Sequence, residues 1–188
     1  MAKVKIEVSA RHLHISQKDL EKLFGRGYEL KPLKSLSQTG EFAASEMVTL
    51  KTKDGQIDHL RIIGPVRAKT QVELAITDAR KLKLDPPIRL SGDLAGSAGG
   101  TLIGPKGKAI LKEGIIIAKR HIHCDTITAK KLGLKETKPV KVRVTGVRSA
   151  VLENIPVRIK DNYVFRLHLD TDEANAVLGG NTNGEIIK

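Results

Sequence analysis

Five of the six histidines fall into a repeated pattern whose spacing suits metal coordination. Ala10-Arg11-His12-Leu13-His14 recurs as Lys119-Arg120-His121-Ile122-His123. Farther along, Val72-Glu73-Leu74 is matched by Leu167-His168-Leu169. On a β-strand, residues two apart point to the same face, so each His-x-His pair can turn both imidazoles toward one ion. The matched third element adds Glu73 to His12 and His14, and His168 to His121 and His123. The result is one His/His/Glu set and one His/His/His set. Three protein ligands with an open fourth position is the pattern of catalytic zinc. His12 and His14 continue the alternation of Val4, Ile6, Val8 and Ala10, which places them on the apolar, inward face. His59, between Asp58 and Leu60, has no counterpart and reads as a surface residue. Cys124 falls on the opposite face from His123 and reads as a packing residue.

Short helices follow both His-x-His motifs. Ser16-Gln17-Lys18-Asp19 is a capping-box-like start to a helix closed by Gly25, and Asp125-Thr126 caps a second one closed by Gly133. Pro65-Val66-Arg67-Ala68-Lys69 is matched by Pro156-Val157-Arg158-Ile159-Lys160. An Arg held by a rigid Pro segment can offer its planar fork to phosphate or carboxylate, or form a surface ion pair. The Gly-rich run Ser91-Gly92-Asp93-Leu94-Ala95-Gly96-Ser97, with Gly104-Pro105-Lys106-Gly107 after it, is either an anion cradle or a connector between the halves. Between motifs the signal is mostly strand, as in Val140, Val142 and Val144, with turns at Asp54-Gly55 and Gly146. The stretch Gly27–Ala44 reads as a loop or lid. No helix signal exceeds about ten residues, which disfavours a parallel α/β sheet. The fold class is mainly β, as two related small β-barrel domains with short capping helices.

Composition narrows the partners. The 188 residues carry 33 Lys+Arg against 21 Asp+Glu, a formal charge of +12. There is no Trp, and Tyr28, Tyr163, Phe24, Phe42 and Phe165 are the only aromatic residues of the Phe, Trp and Tyr class. That is too few for the base-stacking platforms of single-strand binders. The basic balance reads either as a solvated basic surface or as a fit to a partner or substrate that carries several negative charges. The longest aliphatic run, Ile115–Ala118, is far short of the roughly 18 residues of a membrane span. The start alternates charged and apolar residues and lacks a signal-peptide core. One cysteine excludes an intrachain disulfide framework and fits a reducing cytoplasm.

Arg11-His12-Leu13-His14, Ser91-Gly92-Asp93-Leu94-Ala95-Gly96-Ser97, Arg120-His121-Ile122-His123 and His168-Leu169-Asp170-Thr171-Asp172-Glu173-Ala174-Asn175 together resemble the PduL-type phosphate acyltransferases. This is the phosphate propanoyltransferase, or phosphotransacylase, family, and the resemblance covers essentially the whole chain. It implies two β-barrels that exchange the N-terminal strand, with the active site between them. Residues 11–118 then form one repeat, and residues 119–188 with strand 1–10 form the other. The resemblance also implies two zinc ions per chain, one held by His12, His14 and Glu73 and the other by His121, His123 and His168. Arg67 becomes the catalytic, phosphate-binding residue. Arg61 and Asn175, with the backbone of Val8, Ser9 and Ala10, become contacts to coenzyme A.

The implied reaction interconverts acyl-CoA plus phosphate with acyl phosphate plus coenzyme A, the acyl group being propanoyl or acetyl. No Ser or Cys stands in a nucleophile–base arrangement, so direct transfer in a ternary complex is expected. The thiolate is expected at one metal and phosphate at or near the other. Glu73 leaves the first centre at about +1, and three neutral imidazoles leave the second at about +2. The expected partners are coenzyme A or acyl-CoA and phosphate or acyl phosphate, without nucleic acid or membrane, and a homodimer is a family-level expectation. Nine residues separate Met1 from Arg11, without the amphipathic extension of microcompartment members, so a free cytoplasmic bacterial enzyme is expected. Two other readings compete: a different two-zinc hydrolase or hydratase, and a basic β-barrel binding module with structural zinc.

Overall fold

The structure, a computed structural model, describes residues 2–187. The chain divides into two compact units, Ala10–Ala118, and Met1–Ser9 with Lys119–Lys188. The first strand, β1 (Ala2–Ser9), belongs to the second of these. The Ala10–Ala118 unit begins with β2 (His12–His14), α1 (Gln17–Phe24), β3 (Pro32–Ser35), β4 (Phe42–Lys51) and β5 (Gln56–Gly64). It continues with β6 (Gln71–Leu74), α2 (Ile76–Lys81), β7 (Ile88–Arg89), β8 (Ala98–Ile103) and β9 (Lys108–Ala118). The other unit adds β10 (His121–Cys124), α3 (Thr126–Leu132), β11 (Val140–Val144) and β12 (Ala150–Ile155). It ends with β13 (Val157–Ile159), β14 (Arg166–Asp170), α4 (Thr171–Val177) and β15 (Asn183–Ile187).

Each unit is a barrel-like sheet. In the first, the strands run β4-β5-β2-β6-β9-β8 and return to β4, with β3 added on β4 and β7 on β9. In the second, the path is β12-β11-β15-β1-β14-β10-β13. Its two ends are one strand interrupted at Pro156, which has no N–H for a ladder, so the chain itself joins them. The pairings correspond sense for sense. β2 is parallel to β5 and antiparallel to β6, as β10 is parallel to β13 and antiparallel to β14. β9 runs parallel to β6 as β1 runs parallel to β14. The strand leading into each His-x-His motif therefore pairs in the other unit's sheet.

That exchange corrects one expectation. The alternation of β1 does not carry into β2, because the chain leaves one sheet at Ser9 and enters another at His12. Val4 and Ile6 point into the core of their unit, with Val142, Ile155 and Leu167, while Val8 is exposed. In β2 it is Leu13 that enters the core, with Leu20, Leu60, Ile62 and Ile115. Ile122 does the same in β10. By strand alternation the histidines on either side of Leu13 and Ile122 lie on the outer face of each sheet.

The helices that follow are set by their caps. Ser16 Oγ accepts the Asp19 N–H at 3.2 Å, and Asp125 accepts the Thr128 N–H at 2.8 Å. Gly133 ends α3 in the left-handed conformation (φ 61°) that a glycine takes without a Cβ penalty. The Gly27–Ala44 stretch is not only loop, since Pro32–Ser35 pairs with β4. Gly99 sits where the β8–β9 register shifts, and a Cβ there would lie 2.6 Å and 2.7 Å from the carbonyl oxygens of Leu111 and Lys112. Backbone cannot yield as a side-chain tip can. Gly99→Ala is expected to destabilise the protein by about 1–3 kcal/mol, read from the urea midpoint at unchanged m.

Candidate active site

The antiparallel register sets His12 opposite Glu73 and His14 opposite Gln71, so all four side chains share a face. His12 Nε2 lies 3.8 Å from Glu73 Oε2, and His14 Nε2 lies 3.8 Å from Glu73 Oε1. One ligand atom from each residue falls within 4.8 Å of the others. The far side of each ring is held by backbone: His12 Nδ1 is 2.8 Å from the Ala10 carbonyl and His14 Nδ1 is 3.3 Å from that of Ile63. A carbonyl only accepts, so Nδ1 carries the proton and the Nε2 lone pair faces the carboxylate. Burial above all, then the charges of His12 and Arg67, hold the His14 imidazole near a pKa of about 3, so it is neutral. His14 and Glu73 are 4% and 7% exposed. Two imidazoles oriented through Nδ1 and one buried carboxylate fit a divalent ion such as zinc.

The second set repeats this register. His121 stands opposite His168, and His123 opposite Arg166. The ring centroids of His121, His123 and His168 lie 4.6, 4.8 and 5.2 Å apart. His121 Nδ1 is held by the Lys119 carbonyl at 2.9 Å, the lock that Ala10 supplies to His12. The Nε2 atoms of His121 and His123 are 3.2 Å apart. Two imidazole nitrogens so placed either share a proton or turn their lone pairs on one ion. Tyr163 stacks on His123 at 4.0 Å between centroids, and Glu7 Oε2 lies 3.8 Å from His168 Nδ1. In both units the Arg before the first His pairs with the helix after the third position's strand, Arg11 with Asp78 and Arg120 with Glu173.

Arg67 is placed close enough to His14 to lower its pKa. Its Nη2 lies 2.9 Å from Glu41 Oε1, and its Nη1 donates to Ser91 Oγ at 3.1 Å. The sequence match of Arg67 with Arg158 is not a structural one. Arg158 lies in β13 directly beside His123, whereas Arg67 lies beyond the end of β5, bridged to Ser16. Ile62 and Glu73 precede Val157 and His168 by equal lengths of chain, and Pro65 precedes Pro156 by less. Of the other predicted residues, Arg61 stands opposite His12 and donates to the carbonyls of Ala44 (2.8 Å) and Ser45 (3.3 Å). Val8 and Asn175 line one cavity of about 490 Å³ with Arg148 and the Gly179-Gly180 turn. Ser9 pairs with Asp170 in the same unit, whereas Ala10 and Arg61 belong to the other.

Two neighbours of the first centre, Gln71 and Glu41, were missed in the sequence, and a third, Ser91, was read only as the start of the Gly-rich run. Gln71 precedes Glu73 by two residues, the spacing that groups the histidines, so strand periodicity alone could have found it. Ser91 and Gly92, the start of the Gly-rich run, are anchored on Gln71. Glu41 had no sequence signal, because it is the pairing of Phe42 with Gly64 that brings it to Arg67.

The family model described as phosphate propanoyltransferase matches residues 5–179. This chain belongs to the phosphate propanoyltransferase family. A protein of that name from Thermotoga maritima is 47% identical over 174 residues, covering 92% of this chain and 83% of that one. One from Lachnoclostridium phytofermentans is 47% identical, covering 92% and 81%. One from Clostridioides difficile is 38% identical, covering 98% and 88%. As a phosphate propanoyltransferase family member the chain is an acyltransferase, and phosphate acyltransferase chemistry is what the centres must be measured against. Cys124 is no nucleophile for it. Its side chain is fully buried, and burial, with Asp125 adding, pushes the thiol up to about 11. No helix among the described residues is long and apolar enough to cross a membrane.

Proposed function

We propose that the chain is a zinc-dependent phosphate acyltransferase that interconverts acyl-CoA plus phosphate with acyl phosphate plus coenzyme A. The observation that carries this reading is the convergence of His12 and His14 Nε2 on the Glu73 carboxylate, with both Nδ1 atoms locked by backbone. In this reading His12, His14 and Glu73 hold one zinc ion, and His121, His123 and His168 a second. Bound zinc supplies a Lewis acid for the thioester carbonyl and for the departing thiolate.

The chain's own residues do the rest. Arg67 binds the incoming phosphate through a guanidinium that already pairs with one carboxylate oxygen, and its charge lets two anionic substrates approach. A phosphate oxygen bonds to the acyl carbon while the carbon–sulfur bond breaks and the thiolate leaves. Val8 and Asn175, with Arg148, offer a cavity for part of coenzyme A. The family resemblance adds Arg61 and the backbone of Ser9 and Ala10 as further contacts. Propanoyl and acetyl groups are both accommodated by this reading. The single cysteine fits a cytoplasmic location, and a homodimeric assembly is what the family resemblance implies.

Thiol release from propanoyl-CoA and acetyl-CoA, followed with and without phosphate, tests the reaction class. Release is expected only with phosphate, with acyl phosphate formed in equal amount. Release at the same rate without phosphate would mean a hydrolase. Exchange of phosphate into acyl phosphate without coenzyme A would mean a covalent acyl-enzyme. The second centre has its own reporter, because the chain lacks Trp and Tyr163 lies on His123. Zinc added to stripped protein is expected to change tyrosine emission, and Tyr163→Phe to lose most of that response.

A further inference from the structure

We propose that Gln71 is a positioning residue that fixes the Glu73 carboxylate at the first centre and couples it to Arg67 through Ser91. Gln71 is 3% exposed and its amide is fully engaged. Its Nε2 donates to Glu73 Oε1 and to Ser91 Oγ, both at 2.5 Å, while its Oε1 accepts the Gly92 N–H at 2.9 Å. The Gly92 N–H can only donate, so the amide oxygen must face it and both amide hydrogens must face the other way. Ser91 Oγ also receives Arg67 Nη1 at 3.1 Å. A continuous chain of contacts therefore runs from Glu73 through Gln71 and Ser91 to Arg67 and Glu41.

The second unit shows why an amide is needed here. Arg166 holds the register position of Gln71, opposite His123 as Gln71 is opposite His14. There the third member of the set is His168, which is no carboxylate, and the Arg166 guanidinium turns instead to the Phe165 carbonyl at 2.8 Å. The amide thus accompanies the carboxylate. It holds the Glu73 carboxylate in one orientation, with Oε2 toward His12. Partners of this kind typically change metal affinity or activity by about 10–100-fold.

The inference rests on the metal reading of the first centre, and zinc alone is the probe. Stripped wild type, Gln71→Leu, Gln71→Asn and Ser91→Ala are titrated with zinc against a chromophoric chelator, with circular dichroism and melting of the stripped proteins alongside. Gln71→Leu is expected to bind first-centre zinc about 10–100-fold more weakly and to leave the second centre unchanged. Gln71→Asn, one methylene too short to span Glu73 and Gly92, is expected to behave the same way and serves if the Leu variant does not fold. Ser91→Ala keeps the Gln71–Glu73 contact, so its zinc affinity is expected to stay within about threefold of wild type while its KM for phosphate rises. Unchanged first-centre affinity in a folded Gln71 variant would overturn the proposal, as would an equal loss at both centres. Wild type that takes up no zinc at His12, His14 and Glu73 would instead overturn the metal reading itself.

Discussion

Glu73→Gln is expected to leave one zinc ion per chain instead of two and to lower kcat/KM for acyl-CoA by on the order of 10³-fold. The size follows from what the carboxylate does. It is the one anionic ligand of its set, it is buried, and it is the group on which both Nε2 atoms converge. A neutral amide there cannot neutralise a divalent ion, and its NH₂ would meet either an imidazole lone pair or the Gln71 amide. Lewis-acid stabilisation is worth several kcal/mol, and each ~1.4 kcal/mol is tenfold in rate. His123→Ala probes the second centre in the same way and is expected to remove the other ion with a comparable loss. Neither position lies in an apolar core, so both variants should unfold as cooperatively as wild type. A folded Glu73→Gln protein that retains both ions and full activity would contradict the assignment.

Arg67→Ala is expected to lower kcat/KM for phosphate by about 10²–10³-fold, the range seen when one donor to a developing charge is removed. KM for acyl-CoA should move much less. Arg67 Nη2 already pairs with one carboxylate oxygen, Glu41 Oε1, at 2.9 Å. Both side chains are about one-third exposed, so that ion pair is a weak one that an incoming dianion can displace. Arg67→Lys retains the charge but not the fork and should recover only part of the loss. Added guanidinium should rescue the Ala variant. Equal losses toward phosphate and acyl-CoA would mean that Arg67 supports the fold of the site rather than binding phosphate.

Much of this was legible from spacing. The duplicated His-x-His motifs, the third element with Glu73 or His168, and the caps at Ser16 and Asp125 depend only on local periodicity, which strands and helices obey wherever they are placed. The structure pairs His12 with Glu73 across the β2–β6 ladder and His121 with His168 across the β10–β14 ladder, as each ligand set requires. Three features were not legible, for physical reasons. The phase of the alternation cannot be carried across Ser9–Arg11, because β1 pairs with β14 and β15 while β2 pairs with β5 and β6. Arg158 could be aligned with Arg67 by type, yet it sits beside His123. Glu41 reaches Arg67 because the start of β4 pairs with the end of β5, Phe42 opposite Gly64, a register that the residues around Glu41 do not announce. Gln71 is the instructive omission: the rule that grouped His12 with His14 also groups it with Glu73.

The central claim is that phosphate-dependent acyl transfer by this chain depends on two zinc ions. Titration of chelator-stripped protein with zinc, reading the rate of phosphate-dependent thiol release from acyl-CoA, tests it most directly. The account predicts negligible activity at the start and a plateau at two equivalents of zinc per chain. Full activity in the stripped protein, or thiol release that zinc restores equally without phosphate, would contradict it.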